Sequence, residues 1–220
     1  MDVQPVPSSP NLQAEPRWQA VLATIAIAAI YLALPDRLTA GPRWILPATL
    51  CLLLIPSIAA HRARNHRVNA LLGLAINSVV MVALLWALTM LISRLPTKQD
   101  PPEELLRSAA ALWASNILVF ASWYWRLDAG GPNERDLRLA HTEGAFLFPQ
   151  MTMGVAGEPE EPGWKPGFVD YLFLAFNTST AFSPTDVPVL SRWAKVLRMV
   201  QSIISRATIA ILAARAINIL

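Results

Sequence analysis

The segment from residue 168 to residue 220 constrains the fold of this chain most strongly. It begins with an apolar, aromatic stretch of helical length, continues through a Thr-rich polar loop, and ends in a long apolar helix. Non-helical backbone is tolerated at membrane depth only where protein buries it or where it lines water. This order of elements therefore predicts a re-entrant segment, in which the loop marks an aqueous or polar path.

The composition favours a membrane protein. Hydrophobic residues make up 54% of the 220 residues and charged residues only 15%, against about 25% charged residues in soluble domains. Cys51 is the single cysteine, so no intramolecular disulfide can form. The net charge of +3 is small, and the basic residues cluster at segment ends. We therefore expect a lipid bilayer as partner and no nucleic acid.

Five apolar segments have lengths that suit membrane helices. The first two have 17 residues each, at the short limit for a hydrocarbon core of about 30 Å. The third is long enough to span with tilt, the fourth is more amphipathic, and the fifth carries several cations. The segments are Trp18–Leu34, Trp44–Ala60, Val68–Ser93, Leu105–Trp125 and Leu190–Leu220.

These segments define the predicted organisation. The fold class is an all-α integral membrane protein with four hydrophobic helices, a re-entrant helix and loop, and a long C-terminal transmembrane helix. Residues 1–16 form a disordered polar leader, 17–126 a four-helix membrane region, and 127–167 an extramembrane loop with a short helix around Asn133–His141. His141 and Glu143 are interpreted as solvated loop residues. No metal or cofactor site is predicted.

The polar loop carries the one specific motif. Its residues are Thr178, Ser179, Thr180, Ala181, Phe182, Ser183, Pro184, Thr185 and Asp186. The motif resembles the pore signature of the potassium-channel superfamily, T-x-T-T-V-G-Y-G-D, with Thr178, Thr180 and Asp186 in register. The last helix is similar to the inner helix of small bacterial two-helix channels, where an Ala-Arg pair such as Ala214-Arg215 recurs. The whole segment resembles still more a group of uncharacterised bacterial membrane proteins with a TAFSPTD-type motif.

The resemblance implies an ion-channel-like permeation protein. It implies a homotetramer around the last helix in the plasma (inner) membrane of a bacterial cell, with a monovalent cation as a possible partner. The motif nevertheless lacks every filter glycine, and Pro184 fixes φ and has no N–H. We therefore expect hydroxyl groups rather than a ring of carbonyls as ligands, and a ring of Asp186 carboxylates that favours cations.

A scaffold and a transporter are the two other functions to compare with permeation. The alternative is a non-conducting membrane scaffold or partner-binding subunit with a vestigial pore loop, because Ser183, Pro184, Thr185 and Asp186 are also ordinary turn and cap residues. A transporter is disfavoured because no internal repeat is visible. The sequence has no catalytic motif, so we do not expect an enzyme.

Several polar residues lie inside apolar segments. Arg206 interrupts the last helix, where a charge is costly and usually faces protein or water. It could face the pore axis, pair with Asp170 or Asp186, or bind backbone carbonyls. If it faced the axis of a tetramer, four inward arginines would repel cations. Asn77 and Asn116 predict hydrogen bonds between helices.

The remaining predictions concern helix ends and orientation. Asp170 is expected to stabilise a helix N-terminus. An interfacial aromatic belt is predicted from Trp18, Trp44, Trp123, Tyr124, Trp125, Trp164 and Trp193. The basic loop with Arg62, Arg64 and Arg67 places the N-terminus and the pore-like loop on the cytoplasmic side. The channel resemblance implies the opposite orientation.

Overall fold

The computed structural model describes residues 15–95, 101–141, 143–152, 164–180 and 187–217, with side chains described to residue 214. Apart from one β-bridge and short 3₁₀ turns, the regular elements in these ranges are α-helices. The prediction of an all-helical chain is confirmed, and the five long segments were predicted to within a few residues. The helices are α1 (Trp18–Ala33), α2 (Ile45–Arg62), α3 (His66–Arg94), α4 (Pro102–Leu127), α5 (Pro132–Asp136), α6 (Phe168–Thr180) and α7 (Arg192–Ile217).

Four of the helices are long and apolar enough to cross a bilayer, namely α2, α3, α4 and α7. The chain is therefore a multi-pass membrane protein. Helix α1 is apolar but has 16 residues, or about 24 Å at 1.5 Å per residue. Large apolar side chains remain exposed on the outer faces, such as Leu52 and Ile55 of α2. Such faces suit contact with lipid.

Local sequence explains where the helices begin and end. The side chain of Asn65 caps α3 by accepting a hydrogen bond from the backbone N–H of Val68 at 3.2 Å. Helix α4 begins at Pro102 and carries Glu103 and Glu104 in its first turn, where a negative charge complements the helix dipole. Because these capping and first-turn residues lie between apolar runs, the ends of the segments could be predicted.

Helix α4 is the centre of the bundle. It packs against α1 and α3 and also against α6 and α7, while α2 packs against α1 and α3. Its side chains Ala109, Val119, Phe120 and Ala121 are inaccessible to solvent. The α6–α7 pair is thus joined to the rest of the chain mainly through α4.

One end of the bundle collects most of the polar contacts. We call it the basic end and define it by residues 15–18, 61–69, 125–141, 143–149, 164–171 and 187–195. Here Arg17 binds Asp136, the Trp125 and Phe168 rings lie 5.8 Å apart, and Asn133 binds Asn69. The turn between α1 and α2, the end of α3 and the start of α4 lie at the opposite end, where Arg37 binds Glu104.

Two predictions about the polar segments need correction or restriction. The short helix expected around Asn133–His141 is shorter, because α5 ends at Asp136. Residues 1–14 of the predicted leader lie outside the described residues. Glu15 is described, and its backbone N–H donates to Asp136 Oδ1 at 3.0 Å.

Candidate functional site

The predicted filter-like loop begins later in the structure than in the sequence analysis. Thr178, Ser179 and Thr180 form the last turn of α6 rather than a loop. The hydroxyls of Thr178 and Thr180 donate to the carbonyl oxygens of Leu174 and Phe176, at 2.8 and 3.0 Å. Such bonds are compatible with helical backbone. Ala181, Phe182, Ser183, Pro184, Thr185 and Asp186 lie outside the described residues.

The last turn of α6 lies level with the middle of the neighbouring helices. The ring of Phe176 packs edge-on against Trp113 of α4, with 6.3 Å between centroids. Ser179 contacts Gln201, which lies in the middle part of α7. Helix α6 has 13 residues, or about 20 Å, so it reaches partway along the longer helices. We call this last turn the tip of α6 and the first turn its base.

Gln201 joins α4, α6 and α7 at the tip. Its Nε2 donates to the carbonyl oxygen of Ala175 at 2.7 Å and to Ser179 Oγ at 2.9 Å, both on α6. Its Oε1 accepts a 2.5 Å hydrogen bond from the hydroxyl of Tyr124 on α4. Gln201 and Tyr124 are fully buried. Because unpaired polar groups are expensive in an apolar interior, these bonds fix the position of the tip.

A second amide extends the contact between α4 and α7. Asn116 donates from Nδ2 to Ser205 Oγ at 2.7 Å and to the Gln201 carbonyl oxygen at 3.4 Å. The predicted interhelical hydrogen bond of Asn116 is therefore confirmed. Asn77 is also buried, but its Nδ2 has no hydrogen-bond partner among the described residues. The prediction for Asn77 is not confirmed.

Asp128 fixes the base of α6 from the end of α4. Its Oδ2 accepts a hydrogen bond from the hydroxyl of Tyr171 at 2.6 Å, and its Oδ1 accepts one from the backbone N–H of Ala145 at 2.5 Å. His141 Nε2 lies 3.4 Å from Oδ2, which is longer than an ordinary hydrogen bond. His141 is buried against the rings of Phe148 and Trp164. The interpretation of His141 as a solvated loop residue is wrong.

Asp170 completes the first turn of α6. Its Oδ2 accepts a 2.7 Å hydrogen bond from the backbone N–H of Gly167, the residue before the helix. An acidic side chain at this position satisfies an N–H that has no helical partner. The predicted role of Asp170 at a helix N-terminus is confirmed.

A charged cluster surrounds this base. Arg135, only 2% exposed, donates to the carbonyl oxygens of Trp125 and Asp128 at 2.7 and 3.0 Å and to Glu15 at 3.2 Å. Burial lowers the pKa of Arg17, and this is opposed by the carboxylates of Asp136 and Glu15, which it binds. The cluster ties α1, α4 and α5 together next to α6.

Residues 187–190, which precede α7, also lie at the basic end. Phe146 and Val189 form an antiparallel bridge. The backbone N–H of Leu147 donates to Pro188 at 2.9 Å, and that of Leu190 donates to Ala145 at 2.8 Å. Phe146 also packs on Tyr171 of α6. Both the base of α6 and the residues just before α7 are thus held by the same stretch of chain.

Arg206 is exposed on the outer face of α7. Within the described part of the chain it forms no hydrogen bond or ion pair, and Asp170 is bonded to Gly167 instead. The exposed apolar side chains Val196, Met199 and Ile203 lie on the same face, at helical spacing. This face combines apolar residues with a charge near the middle of the helix.

The predicted aromatic belt is divided between surface and core. Trp18, Trp44 and Trp193 are exposed near helix ends, as a belt requires. Tyr124 and Trp125 are buried in the bundle, and their polar atoms bind Gln201 and Glu15. For these two residues the belt assignment is wrong, because internal hydrogen-bond partners were not visible from spacing.

Gln201 and Asp128 were missed by the sequence reasoning. Gln201 had a visible signal, because it is a neutral polar residue inside an apolar helix. Asp128 had none, since its partners Tyr171 and Ala145 are distant in sequence. In the described ranges, no three His, Cys, Asp or Glu side chains are grouped as metal ligands.

Comparison of the chain with protein-family models, curated proteins and solved structures finds no match.

Proposed function

We propose that this chain is an oligomeric, ion-channel-like permeation protein of a bacterial-type inner membrane. In this proposal α6 and the residues up to Leu190 form a re-entrant hairpin. One observation carries the proposal. The base of α6 and residues 187–190 are both bound at the basic end, while the tip of α6 contacts the middle of α4 and α7.

The direction of α6 favours a cation. A helix concentrates partial negative charge at its C-terminus, and in α6 this end is the tip. Thr180 is exposed there, whereas Thr178 and Ser179 are buried. Among the described residues of the motif, Thr180 therefore carries the hydroxyl that can line the path. The rest of the proposed constriction, residues 181–186, lies outside the described residues. The ring of Asp186 carboxylates expected from the sequence then adds cation selectivity.

The outer faces of α6 and α7 support an oligomer. Val169, Phe173 and Phe176 are exposed on α6, next to Thr180 in helical spacing. A charge such as Arg206 near a helix centre costs at least about 2.5 kcal/mol against lipid. Contact with a second subunit or with water would avoid this cost. The potassium-channel resemblance makes four subunits the expected number.

The distribution of basic residues supports one orientation within this proposal. Arg62, Arg64 and Arg67, at the junction of α2 and α3, lie at the basic end, together with Arg192 and Lys195. The positive-inside rule places this end in the cytoplasm. The hairpin then enters from the cytoplasmic side, opposite to the orientation that the channel resemblance implies.

The second candidate is a non-conducting scaffold or partner-binding subunit. The observation that favours it is the internal bonding of the buried hydroxyls at the tip, where Ser179 binds Gln201 and Thr178 binds its own helix. A scaffold would use the outer faces of α6 and α7 to bind partners and would leave no water path.

Cation flux into liposomes distinguishes these functions. Purified protein should be reconstituted with a cation-sensitive dye inside the vesicles, and the oligomeric state measured in parallel. Permeation predicts flux that Asp186→Asn reduces at least several-fold. Asp36→Asn is the matched control, because Asp36 is exposed in the α1–α2 turn at the other end of the bundle. An intact oligomer without flux would reject permeation and leave the scaffold.

A further inference from the structure

A cavity of about 500 Å³ lies at the basic end between α1, α2 and the C-terminal part of α4. Most of its wall is apolar, including Trp18, Val21, Leu22, Leu54 and Ile58. Its lining also holds Arg17, His61, Arg62 and Arg126, but no aspartate or glutamate. An apolar wall with cations at one end suits an amphipathic anion.

Arg126 is the distinctive residue of this cavity. Its guanidinium rests against Gly73 of α3, and a Cβ at Gly73 would overlap it. The guanidinium also lies 5.3 Å from the centre of the Trp125 ring. Within the described ranges it forms no hydrogen bond or ion pair, whereas Arg17 binds both Glu15 and Asp136.

The setting of Arg126 is costly without an anion. Arg126 is half-buried, and a charge partly withdrawn from water gains from a partner of opposite sign, since desolvation in an apolar surrounding is expensive. A neighbouring cavity of about 320 Å³ also reaches Arg126, but it is lined by Glu134. That carboxylate would repel an anion, so the larger cavity is the better place for one.

We propose that the larger cavity binds an anionic phospholipid. The phosphate contacts Arg126 and Arg62, and the acyl chains follow the apolar wall of α1 and α2. Trp18 and Leu22 are 60% and 52% exposed, so this wall continues onto the outer face of the bundle. A lipid would bury apolar area that free phosphate leaves unused. The site lies on the α1–α2 side of α4, and its lining includes no described residue of α6 or α7.

Lipid retention measured by native mass spectrometry tests this site. The full chain in detergent should be titrated with phosphatidylglycerol and, separately, with phosphatidylcholine of the same acyl chains. We expect the first bound phosphatidylglycerol to be retained about fivefold more tightly or better, given the usual contribution of a basic residue near anionic lipid. Arg126→Gln should remove this preference.

Two further variants keep the test decisive. Arg107→Gln makes the same charge change on an exposed residue at the other end of the bundle and should preserve the preference. Gly73→Ala keeps every charge but displaces the guanidinium, and should weaken binding as Arg126→Gln does. Equal retention of the two lipids, or an unchanged preference in Arg126→Gln, would overturn the proposal. Full competition by inorganic phosphate would assign the site to a free anion instead.

Discussion

The two ends of α6 are held by different chemistry. At the base, the carboxylate of Asp128 binds Tyr171 and Ala145, and Arg135 and Glu15 lie alongside. At the tip, the neutral amide of Gln201 joins Ser179, Ala175 and Tyr124. Around α6 the charged groups lie at the end of the bundle, and the neutral polar groups lie level with the middle of the long helices, where a charge costs more. Helix α6 is thus held at its two ends by separate sets of residues.

The largest loss of stability is expected at the base of α6. Asp128→Ala removes a buried carboxylate that accepts two hydrogen bonds. We therefore expect the free energy of unfolding in mixed micelles to fall by about 3 kcal/mol or more. Segment 141–149 should also become sensitive to protease, because Ala145 loses its anchor. The control is Asp36→Ala, an exposed position where little change is expected. Equal losses in both variants would show that the base is not specially held.

A smaller effect is expected at the tip. Gln201→Leu leaves the buried hydroxyls of Tyr124 and Ser179 without their partner, which should cost about 1–3 kcal/mol by the same measurement. Adding Tyr124→Phe should recover part of the loss, because the unpaired hydroxyl is removed. Gln19→Leu on α1 is the control, since Gln19 forms no hydrogen bond among the described residues. Strict additivity of the two substitutions would contradict the proposed network.

Two buried asparagines allow a bonded amide to be compared with an unbonded one. Asn116→Leu removes a 2.7 Å hydrogen bond between α4 and α7 and should cost about 1 kcal/mol. Asn77→Leu removes an Nδ2 group that has no partner in the described ranges and should be neutral or stabilising. Thermal unfolding of both variants in the same detergent checks the order. A larger loss of stability for Asn77→Leu than for Asn116→Leu would contradict the expected order.

The smallest effect on stability is expected at Thr180. Among the described residues its hydroxyl bonds only to carbonyl oxygens of α6 itself, and the side chain is exposed. Thr180→Val should change the free energy of unfolding by no more than about 0.5 kcal/mol. If the tip lines an ion path, the same variant should alter flux in liposomes. Unchanged flux through a conducting wild-type protein would remove Thr180 from the path.

The sequence predicted the helices better than their contacts. Apolar runs that follow Pro102 or the cap residue Asn65 define helices locally, so the bounds of these helices were predictable. His141 was misjudged because its neighbours in the chain are polar, while Phe148, Trp164 and Asp128 surround it only after folding.

For the candidate site, too, the sequence predicted residues better than their contacts. Thr178, Ser179 and Thr180 were singled out by the motif, but the motif could not tell that α6 continues through them. Gln201, which binds Ser179, belongs to another helix, and no sequence pattern links the two residues. Pairing between helices depends on their relative rotation, which periodicity in a single segment does not determine.

Labelling of single cysteines tests the central claim, that the chain enters and leaves the membrane on one side between α6 and α7. In a Cys51→Ser background, Lys165→Cys and Leu190→Cys flank the proposed hairpin, and Ala40→Cys marks the opposite end. A membrane-impermeant thiol reagent is applied to sealed vesicles of each orientation. We predict that positions 165 and 190 react in one orientation and position 40 in the other. Reaction of positions 165 and 190 from opposite sides would mean that this segment crosses the bilayer, and would contradict the account.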